Sequence, residues 1–200
     1  FSPVYTLKSQ KIEYVSISFR FLDNKIGYVS ASEIIPVLER QGVLLEVLNK
    51  INFKILDFFM SDSFGQLELK GISIKVPSIM TIHSGALENL CKLFEKYHAD
   101  SSMINIELTE SLVHRTESAL ETLMPRLARK GFTFLLCEYG AGYSNISAFY
   151  DLPFTGISIN GNVVRAAFES KKSRIVLKKT LELARKLDML TVLSGIIDPK

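Results

Sequence analysis

Short apolar runs of strand length alternate with amphipathic stretches along this sequence, and this alternation limits the possible folds more than any other feature. A strand followed by a helix and another strand is typical of parallel βαβ units, in which the helices cover the sheet. We therefore predict an α/β fold with seven strands, of which the first pairs antiparallel. The predicted strands are Phe1–Leu7, Tyr14–Phe21, Leu67–Val76, Met103–Leu108, Thr133–Leu136, Gly156–Ile159 and Met189–Leu193.

The predicted helices begin and end at ordinary helix signals. Ser30 and Glu33 have the spacing of a capping box before a helix that runs to Arg40. Gly131 is placed to end another helix. The remaining predictions are helices at Leu44–Met60 (with Leu45, Leu48, Ile51, Ile55 and Phe58 on one face), Ser84–Lys96, Thr116–Lys130 and Ser173–Leu187, and a turn at Asp62–Gly65.

Composition excludes several classes of protein. The chain has 200 residues and 47% apolar content, which is enough for a large core. Its net charge is only +3, so no broad field for nucleic acid is implied. No apolar run approaches the roughly 18 residues of a membrane span. Two cysteines and three scattered histidines predict neither disulfides nor a zinc site, and they favour a reducing, cytoplasmic setting.

The domain organisation is read from the whole length of the chain. Neither a linker nor an internal repeat interrupts residues 1–200, which predicts a single domain. The sequence starts directly in a strand-like segment, without a leader or an initiator Met. We expect it to be one domain cut from a larger multidomain protein.

The stretch Thr133–Ile146 is the candidate site. A short apolar strand opens there into a loop with Gly140 and Gly142, followed by hydroxyl-bearing residues. Many α/β proteins carry their chemistry at the carboxyl end of a strand. An ordinary turn from strand to helix would use glycines in the same way.

Four segments in order give the chain a family resemblance. The most specific are Ile104–Ser111, which reads Ile-Asn-Ile-Glu-Leu-Thr-Glu-Ser, and Gly140–Asn145, which reads Gly-Ala-Gly-Tyr-Ser-Asn; Val29–Pro36 and Leu152-Pro153 support them. Together they make residues 1–198 resemble an EAL domain, the bacterial module that hydrolyses cyclic di-GMP. The resemblance implies a modified (β/α)₈ TIM-like barrel with an antiparallel first strand. The last strand of that barrel is missing from the seven predicted here.

The family holds two divalent cations with oxygen ligands at its strand ends, and the resemblance implies that this set is degenerate here. Glu107 is retained, whereas an ammonium group, Lys75, stands in place of a metal-binding amide. Lys75 either forms an ion pair with Glu107 or faces solvent. We expect no catalytic residue, no metal, no cofactor and no enzyme activity. The vestigial metal-site positions are Ser16, Lys75, Glu107, Cys137, Glu138, Ser158, Asn160 and Ser194.

The resemblance also bears on partners. The chain resembles the degenerate EAL modules of CsrD/MshH-type regulators. This resemblance implies a non-catalytic role in bacterial signalling, carried out by binding a regulatory protein, for example the glucose-specific phosphotransferase protein. The alternative is a non-hydrolysing cyclic di-GMP receptor, with Arg20 and Pro153 as the nucleotide contacts. Arg20 could instead pair with Glu107 or Glu13. The expected location is cytoplasmic, in a soluble protein or in the cytoplasmic part of a membrane-anchored one.

Basic residues cluster on or before the last predicted helix. Such a cluster is commonly the solvated face of an outer helix, and the alternative is a docking patch for an acidic partner. The cluster comprises Lys171, Lys172, Arg174, Lys178, Lys179, Arg185 and Lys186.

Overall fold

The computed structural model describes residues 1–18, 21–76, 85–142 and 147–195. The chain divides into two compact units, Phe1–Asn105 and Ile106–Lys200. The boundary falls within one strand, Ile104–Thr109. Each unit is an α/β arrangement of its own, so the predicted α/β class is confirmed.

Three strands form the sheet of the first unit. β1 (Ser2–Thr6) pairs antiparallel with β2 (Lys11–Ile17), and Ser2 lies opposite Ser16. β5 (Gly71–Lys75) pairs parallel with the other edge of β2. The predicted antiparallel first strand is therefore confirmed.

A two-stranded hairpin that we did not predict follows β2 in the sequence. It consists of β3 (Phe21–Asp23) and β4 (Gly27–Val29). The Asp23 carboxylate accepts hydrogen bonds from the backbone N–H groups of Lys25 and Ile26, which closes the turn. Strands of three residues are too short to show an alternating apolar pattern.

The described part of the first unit contains four helices, and the capping box that begins the first of them is confirmed. The Ser30 backbone N–H donates to Glu33 Oε2 over 2.9 Å. The predicted turn at Asp62–Gly65 is instead a short helix, because Ser61 Oγ caps it by accepting from Phe64 N–H. The helices are α1 (Ala31–Arg40), α2 (Leu44–Phe59), α3 (Asp62–Gln66) and α4 (Ala86–Lys96).

The second unit continues the strand–helix alternation. Its central pairs are parallel, with Ile157 opposite both Leu136 and Thr191. Its strands are β6 (Ile104–Thr109, which begins in the first unit), β7 (Thr133–Tyr139), β8 (Gly156–Ile159) and β9 (Leu190–Leu193). Its helices are α5 (Glu110–Ala128), α6 (Ala148–Asp151), α7 (Gly161–Glu169) and α8 (Lys171–Lys186).

All seven predicted strands are present, as β1, β2 and β5 to β9, whereas α5 and α7, like α3, differ from the prediction. α5 begins at Glu110 rather than Thr116, and Thr116 is a non-helical kink within it, with φ −130° and ψ 20°. α7 was not predicted at all. In the described part of the chain, no helix is long and apolar enough to cross a bilayer.

Each unit has its own buried core. In the first, Phe59 packs against Phe64 and Phe94 at ring-centroid distances of 4.8 and 5.8 Å. In the second, the apolar residues of the strands meet the buried faces of α5. The fully buried members of that second core include Leu112, Leu120, Met124, Phe134, Leu136 and Ile157.

Candidate functional site

The carboxyl ends of the strands in the second unit carry a row of polar side chains. Glu107 lies in β6, Cys137 and Glu138 near the end of β7, Ser158 and Asn160 at the end of β8, and Ser194 just after β9. The structure joins these six predicted positions into three hydrogen-bonded pairs. Polar groups at this end of parallel strands are the usual place for a ligand site in α/β proteins.

The first pair is Glu107 with Cys137. Both are buried, with exposed fractions of 8% and 3%. The Cys137 thiol donates to Glu107 Oε2 over 3.5 Å. A buried carboxylate needs hydrogen-bond donors, and a thiol is a weak one. One oxygen of the retained family carboxylate is thus directed at a neutral partner.

The second pair is Glu138 with Asn160. The Asn160 amide donates to Glu138 Oε2 over 2.6 Å, and its Oδ1 accepts from Asn162 N–H over 2.8 Å. Asn160 is therefore both the partner of a carboxylate and the N-cap of α7. Glu138 has φ +59°, in the left-handed region, where the register between β7 and β8 shifts. This irregular backbone positions the Glu138 side chain.

The third pair is uncharged. The hydroxyls of Ser158 and Ser194 lie 2.8 Å apart, and either can be the donor. The Ser194 backbone N–H donates to Ile159 O over 3.1 Å, which holds the residue after β9 against the end of β8. Two hydroxyls in contact can turn together to donate to, or accept from, a bound ligand.

Glu110 is a site residue to which the sequence analysis gave no role. It is buried in the first turn of α5, and its Oε2 accepts from Gly140 N–H over 3.3 Å. Burial raises the pKa of the Tyr139 hydroxyl, and the charge of Glu110 raises it further. A Glu at the first position of a helix that follows a strand is the sequence signal that could have identified Glu110.

Two glycines bring the strand ends and α7 close together. Gly140 has φ +87°, and a Cβ there would lie 2.8 Å from Val163 Cγ2. A Cβ on Gly161 would lie 3.0 Å from the carbonyl oxygen of Ser194. Any larger residue at either position would push α7 away from the polar pairs.

The other predicted positions belong to other elements. Ser16 and Lys75 are residues of the first unit: Ser16 lies in β2, opposite Ser73 of β5, and Lys75 is the last residue of β5. Pro153 precedes β8 whereas Asn160 follows it, so these two residues lie at opposite ends of one strand. Arg20 lies outside the described residues, as does the predicted loop segment 143–146. The Lys75–Glu107 ion pair stays a prediction.

A pair of divalent cations is the group that the family would place at these strand ends. Such cations need several oxygen ligands each, mostly anionic. Among the described residues, no group of three or more His, Cys, Asp or Glu side chains could hold a metal. The carboxylates of Glu107 and Glu138 each accept from a neutral side chain, and the third pair carries no charge. Among the described residues of the second unit, Glu107 and Glu138 are the anionic oxygen ligands that these pairs offer to a cation.

Comparison with known proteins identifies the relatives of this chain. The family model described as "EAL domain" matches residues 1–200. The cyclic di-GMP phosphodiesterase PA2567 of Pseudomonas aeruginosa is 25% identical over 98% of this chain and 33% of its own length. The chain thus spans about a third of that relative.

Solved structures show the fold. The PaMucR phosphodiesterase in complex with cyclic di-GMP has a TM-score of 0.82 at 16% identity, over 99% of this chain and 80% of that one. The FimX EAL domain from P. aeruginosa bound to cyclic di-GMP has a TM-score of 0.81 at 16% identity, over 100% and 79%. The predicted TIM-like fold of EAL domains is thereby confirmed.

The prediction that the chain is not an enzyme is contradicted by these comparisons. A relative that matches 98% of the chain is named a cyclic di-GMP phosphodiesterase, which points to an enzyme. The prediction came from counting substituted positions at the strand ends. Counting substituted positions tests only whether those positions resemble the family's metal ligands. It leaves out the similarity of nearly the whole chain to a protein named as an enzyme.

Proposed function

The chain belongs to the EAL domain family, and from that premise we propose that it recognises cyclic di-GMP. The observation that carries the proposal is the match of the family model to residues 1–200. Relatives named cyclic di-GMP phosphodiesterases, and neighbours solved with cyclic di-GMP bound, support it. Because the chain spans about a third of the length of the relative PA2567, any activity or substrate of the whole protein is also only proposed.

We place the nucleotide at the carboxyl ends of β6 to β9. Cyclic di-GMP has two phosphodiester groups, whose oxygens accept hydrogen bonds, and guanine edges that both donate and accept. The Ser158 and Ser194 hydroxyls are neutral donors that suit a phosphodiester oxygen. The Glu138 carboxylate is an acceptor that suits guanine N–H groups. Arg20 and Pro153 stay the predicted further contacts.

Calorimetry with cyclic di-GMP, in the presence and absence of Mg²⁺, tests this proposal. We expect saturable binding with a Kd of about 1–10 μM, that is, a free energy of about −7 to −8 kcal/mol. GMP at the same concentration serves as the control ligand. Absence of binding at millimolar cyclic di-GMP, with or without Mg²⁺, would overturn the proposal.

Turnover is measured in the same samples. Chromatography separates the cyclic dinucleotide from the linear product of hydrolysing one phosphodiester bond. Formation of the linear product would support recognition and assign the activity for which the relatives are named. Saturable binding without product would support recognition alone.

A matched pair of variants places the ligand. Replacing both hydroxyls, Ser158→Ala with Ser194→Ala, removes the two partners of one hydrogen bond together, so the fold loses little. We expect cyclic di-GMP affinity to fall about tenfold, close to the value of one lost hydrogen bond to a charged group. Ser118→Ala, at an exposed position on α5, is the control and should bind as the unchanged chain does. Equal affinity of both variants would place the nucleotide elsewhere.

We propose a second role, binding a regulatory protein, as in the CsrD/MshH-type regulators. The glucose-specific phosphotransferase protein stays the example of such a partner. The observation that favours this role is the basic helix α8, on which Ile175 and Val176 are exposed. Titration of that phosphotransferase protein onto the immobilised chain tests this example directly. Binding that is lost in a charge-reversal variant of α8 supports it, and absence of binding excludes this partner.

A further inference from the structure

Asn160 stands between β8 and α7, and each of its four polar atoms takes part in a hydrogen bond. Its backbone N–H donates to the carbonyl oxygen of Tyr139 over 3.1 Å, and its side-chain amide donates to Glu138 Oε2 over 2.6 Å. Its backbone oxygen accepts from Val163 N–H over 3.0 Å, and its Oδ1 accepts from Asn162 N–H over 2.8 Å. The two donors of Asn160 therefore bind the end of β7, and its two acceptors bind the first turn of α7.

Few side chains could replace asparagine at this position. Aspartate keeps an oxygen that caps a helix, but it has no N–H group to donate to a carboxylate. Serine also caps a helix, but its hydroxyl lies closer to the backbone than the asparagine amide nitrogen and so reaches less far. The donor to Glu138 and the cap of α7 are thus two tasks of the Asn160 side chain that substitution can separate.

Glu138 is a side chain whose direction matters for a ligand. It is half-buried, and its backbone has φ +59° at the shift in register between β7 and β8. A glutamate has several rotamers, and fixing one of them when a ligand binds costs conformational entropy. The hydrogen bond from Asn160 fixes the carboxylate beforehand, which favours binding. Because the Asn160 amide is neutral, the carboxylate keeps its charge as an acceptor.

Helix α7, which Asn160 caps, is held at both of its ends. At the first turn, Val163 Cγ2 lies 2.8 Å from where a Cβ of Gly140 would be, so the loop after β7 packs directly on the helix. At the last turn, Arg174 Nε donates to the carbonyl oxygen of Ala167 over 3.1 Å. The backbone of Asn160 therefore has a fixed position, from which its amide can orient a side chain at the end of β7.

We infer that Asn160 is a positioning residue for the proposed recognition of cyclic di-GMP. It holds the Glu138 carboxylate in the direction in which that group accepts from the guanine N–H groups. The inference rests on the proposed function and names a residue on which recognition depends without contact to the nucleotide. Loss of the Asn160 amide should therefore lower affinity only through Glu138, whereas its cap on α7 contributes to stability.

Replacing the amide while keeping the cap is the first test. Asn160→Ser retains a helix-capping hydroxyl and removes the donor to Glu138. Calorimetry should show cyclic di-GMP affinity about tenfold lower than that of the unchanged chain, the scale of a lost hydrogen bond to a charged group. Asn162→Ser, at an exposed position in the same turn of α7, is the matched control and should bind as the unchanged chain does. Equal affinity of Asn160→Ser and the control would overturn the inference.

A variant without the cap separates positioning from stability. Asn160→Ala removes both the donor and the cap, so it should unfold about 2–4 °C below Asn160→Ser in thermal melts. Both variants should bind cyclic di-GMP with the same reduced affinity, because both have lost the donor to Glu138. A much weaker affinity of Asn160→Ala than of Asn160→Ser would mean that binding follows the cap of α7, and the inference would be wrong.

A double-mutant cycle shows whether Asn160 acts through Glu138. Glu138→Ala alone should lower cyclic di-GMP affinity at least about tenfold, because the acceptor itself is lost. In that background, Asn160→Ser should lower the affinity no further, a result that a purely structural role of Asn160 would not give. A further loss of affinity in the double variant would show that Asn160 acts on the ligand by another route, which contradicts the inference.

Different results would contradict the proposed function and the inference. If the unchanged chain does not bind cyclic di-GMP, the proposed function is wrong and the inference falls with it. If the unchanged chain binds the nucleotide and Asn160→Ser and Glu138→Ala bind it equally well, the function stands and the inference alone is wrong.

Discussion

Helices α2 and α8 have the same length of 16 residues and opposite surroundings. α2 buries six residues, including an asparagine, whereas α8 buries only Ala184. Both sequences have apolar residues at helical spacing. Periodicity shows that a helix has an apolar face, but the neighbouring elements decide whether that face is a core or a surface.

The largest expected difference between the two helices concerns truncation of an apolar side chain. Leu56 on α2 is 2% exposed, so Leu56→Ala should lower the free energy of unfolding by about 2–5 kcal/mol. Ile175 on α8 is 52% exposed, and Ile175→Ala should change it by less than about 0.5 kcal/mol. Urea unfolding followed by circular dichroism measures both. Similar losses at the two positions would mean that α8 is covered.

Substituting Asn52 on α2 is expected to raise the free energy of unfolding, the opposite of the effect of Leu56→Ala. Its side chain is 4% exposed, and its Oδ1 accepts no hydrogen bond within the described part of the chain. An unsatisfied buried amide is unfavourable, so Asn52→Leu should raise the free energy of unfolding by about 1 kcal/mol. Urea unfolding measures the change, with Lys179→Leu on exposed α8 as the control, where no gain is expected. A loss of stability in Asn52→Leu would show that the amide has a partner or that the core is overfilled.

The smallest expected effect is electrostatic. Glu46 on α2 accepts from Lys50 over 2.6 Å, and Glu182 on α8 accepts from Lys179 over 2.7 Å. Each hydrogen bond lowers the pKa of its carboxyl, and the charges of Lys178 and Lys186 lower the pKa of Glu182 further. Salt should therefore raise the Glu182 pKa more than the Glu46 pKa, because it screens these additional charges. NMR titration of the carboxyl carbons at two salt concentrations measures both, and an equal response would contradict the charge excess of α8.

The lowered pKa values of Glu46 and Glu182 determine whether the stability of the fold rises or falls with pH. A carboxyl whose pKa is lower in the folded chain stabilises it above the unfolded pKa, near 4.3, and loses that contribution as the pH falls through the folded value. Acid should therefore weaken both helices. In unfolding experiments across pH 2 to 6, Glu182→Gln should flatten this dependence slightly, and Glu46→Gln should flatten it less. A steeper dependence in Glu182→Gln would contradict the direction of the shift.

The face of α2 shows where prediction from the sequence ends. Leu48 and Ile55 were correctly predicted to be buried, but Leu45 is exposed by 58%, and Leu56 and Phe59 are buried instead. Apolar residues occur nearly all round this helix, so its periodicity allows more than one face. The choice between these faces depends on packing against α4, for example that of Phe59 on Phe94, and the sequence of α2 alone cannot indicate such a contact.

The sequence predicted where the candidate site residues lie along the strands, but not which of them form hydrogen bonds with each other. The resemblance to EAL domains selected Glu107, Cys137 and Ser158, and the predicted strands placed them near strand ends, where the structure also has them. The pairing of Glu138 with Asn160 depends on a left-handed residue, φ +59°, that no apolar pattern indicates. Glu110 was quoted within a motif, but its hydrogen bond to Gly140 joins residues 30 positions apart.

The two hydrogen bonds of Asn160 have a spectroscopic consequence. One amide group connects the Glu138 carboxylate to the backbone of Asn162, because turning the side chain to release Glu138 also removes the cap from α7. The Asn162 amide proton is therefore a natural reporter of events at Glu138. A ligand that takes the Glu138 carboxylate should shift this resonance and speed its exchange with solvent, from a position where nothing bound need touch it.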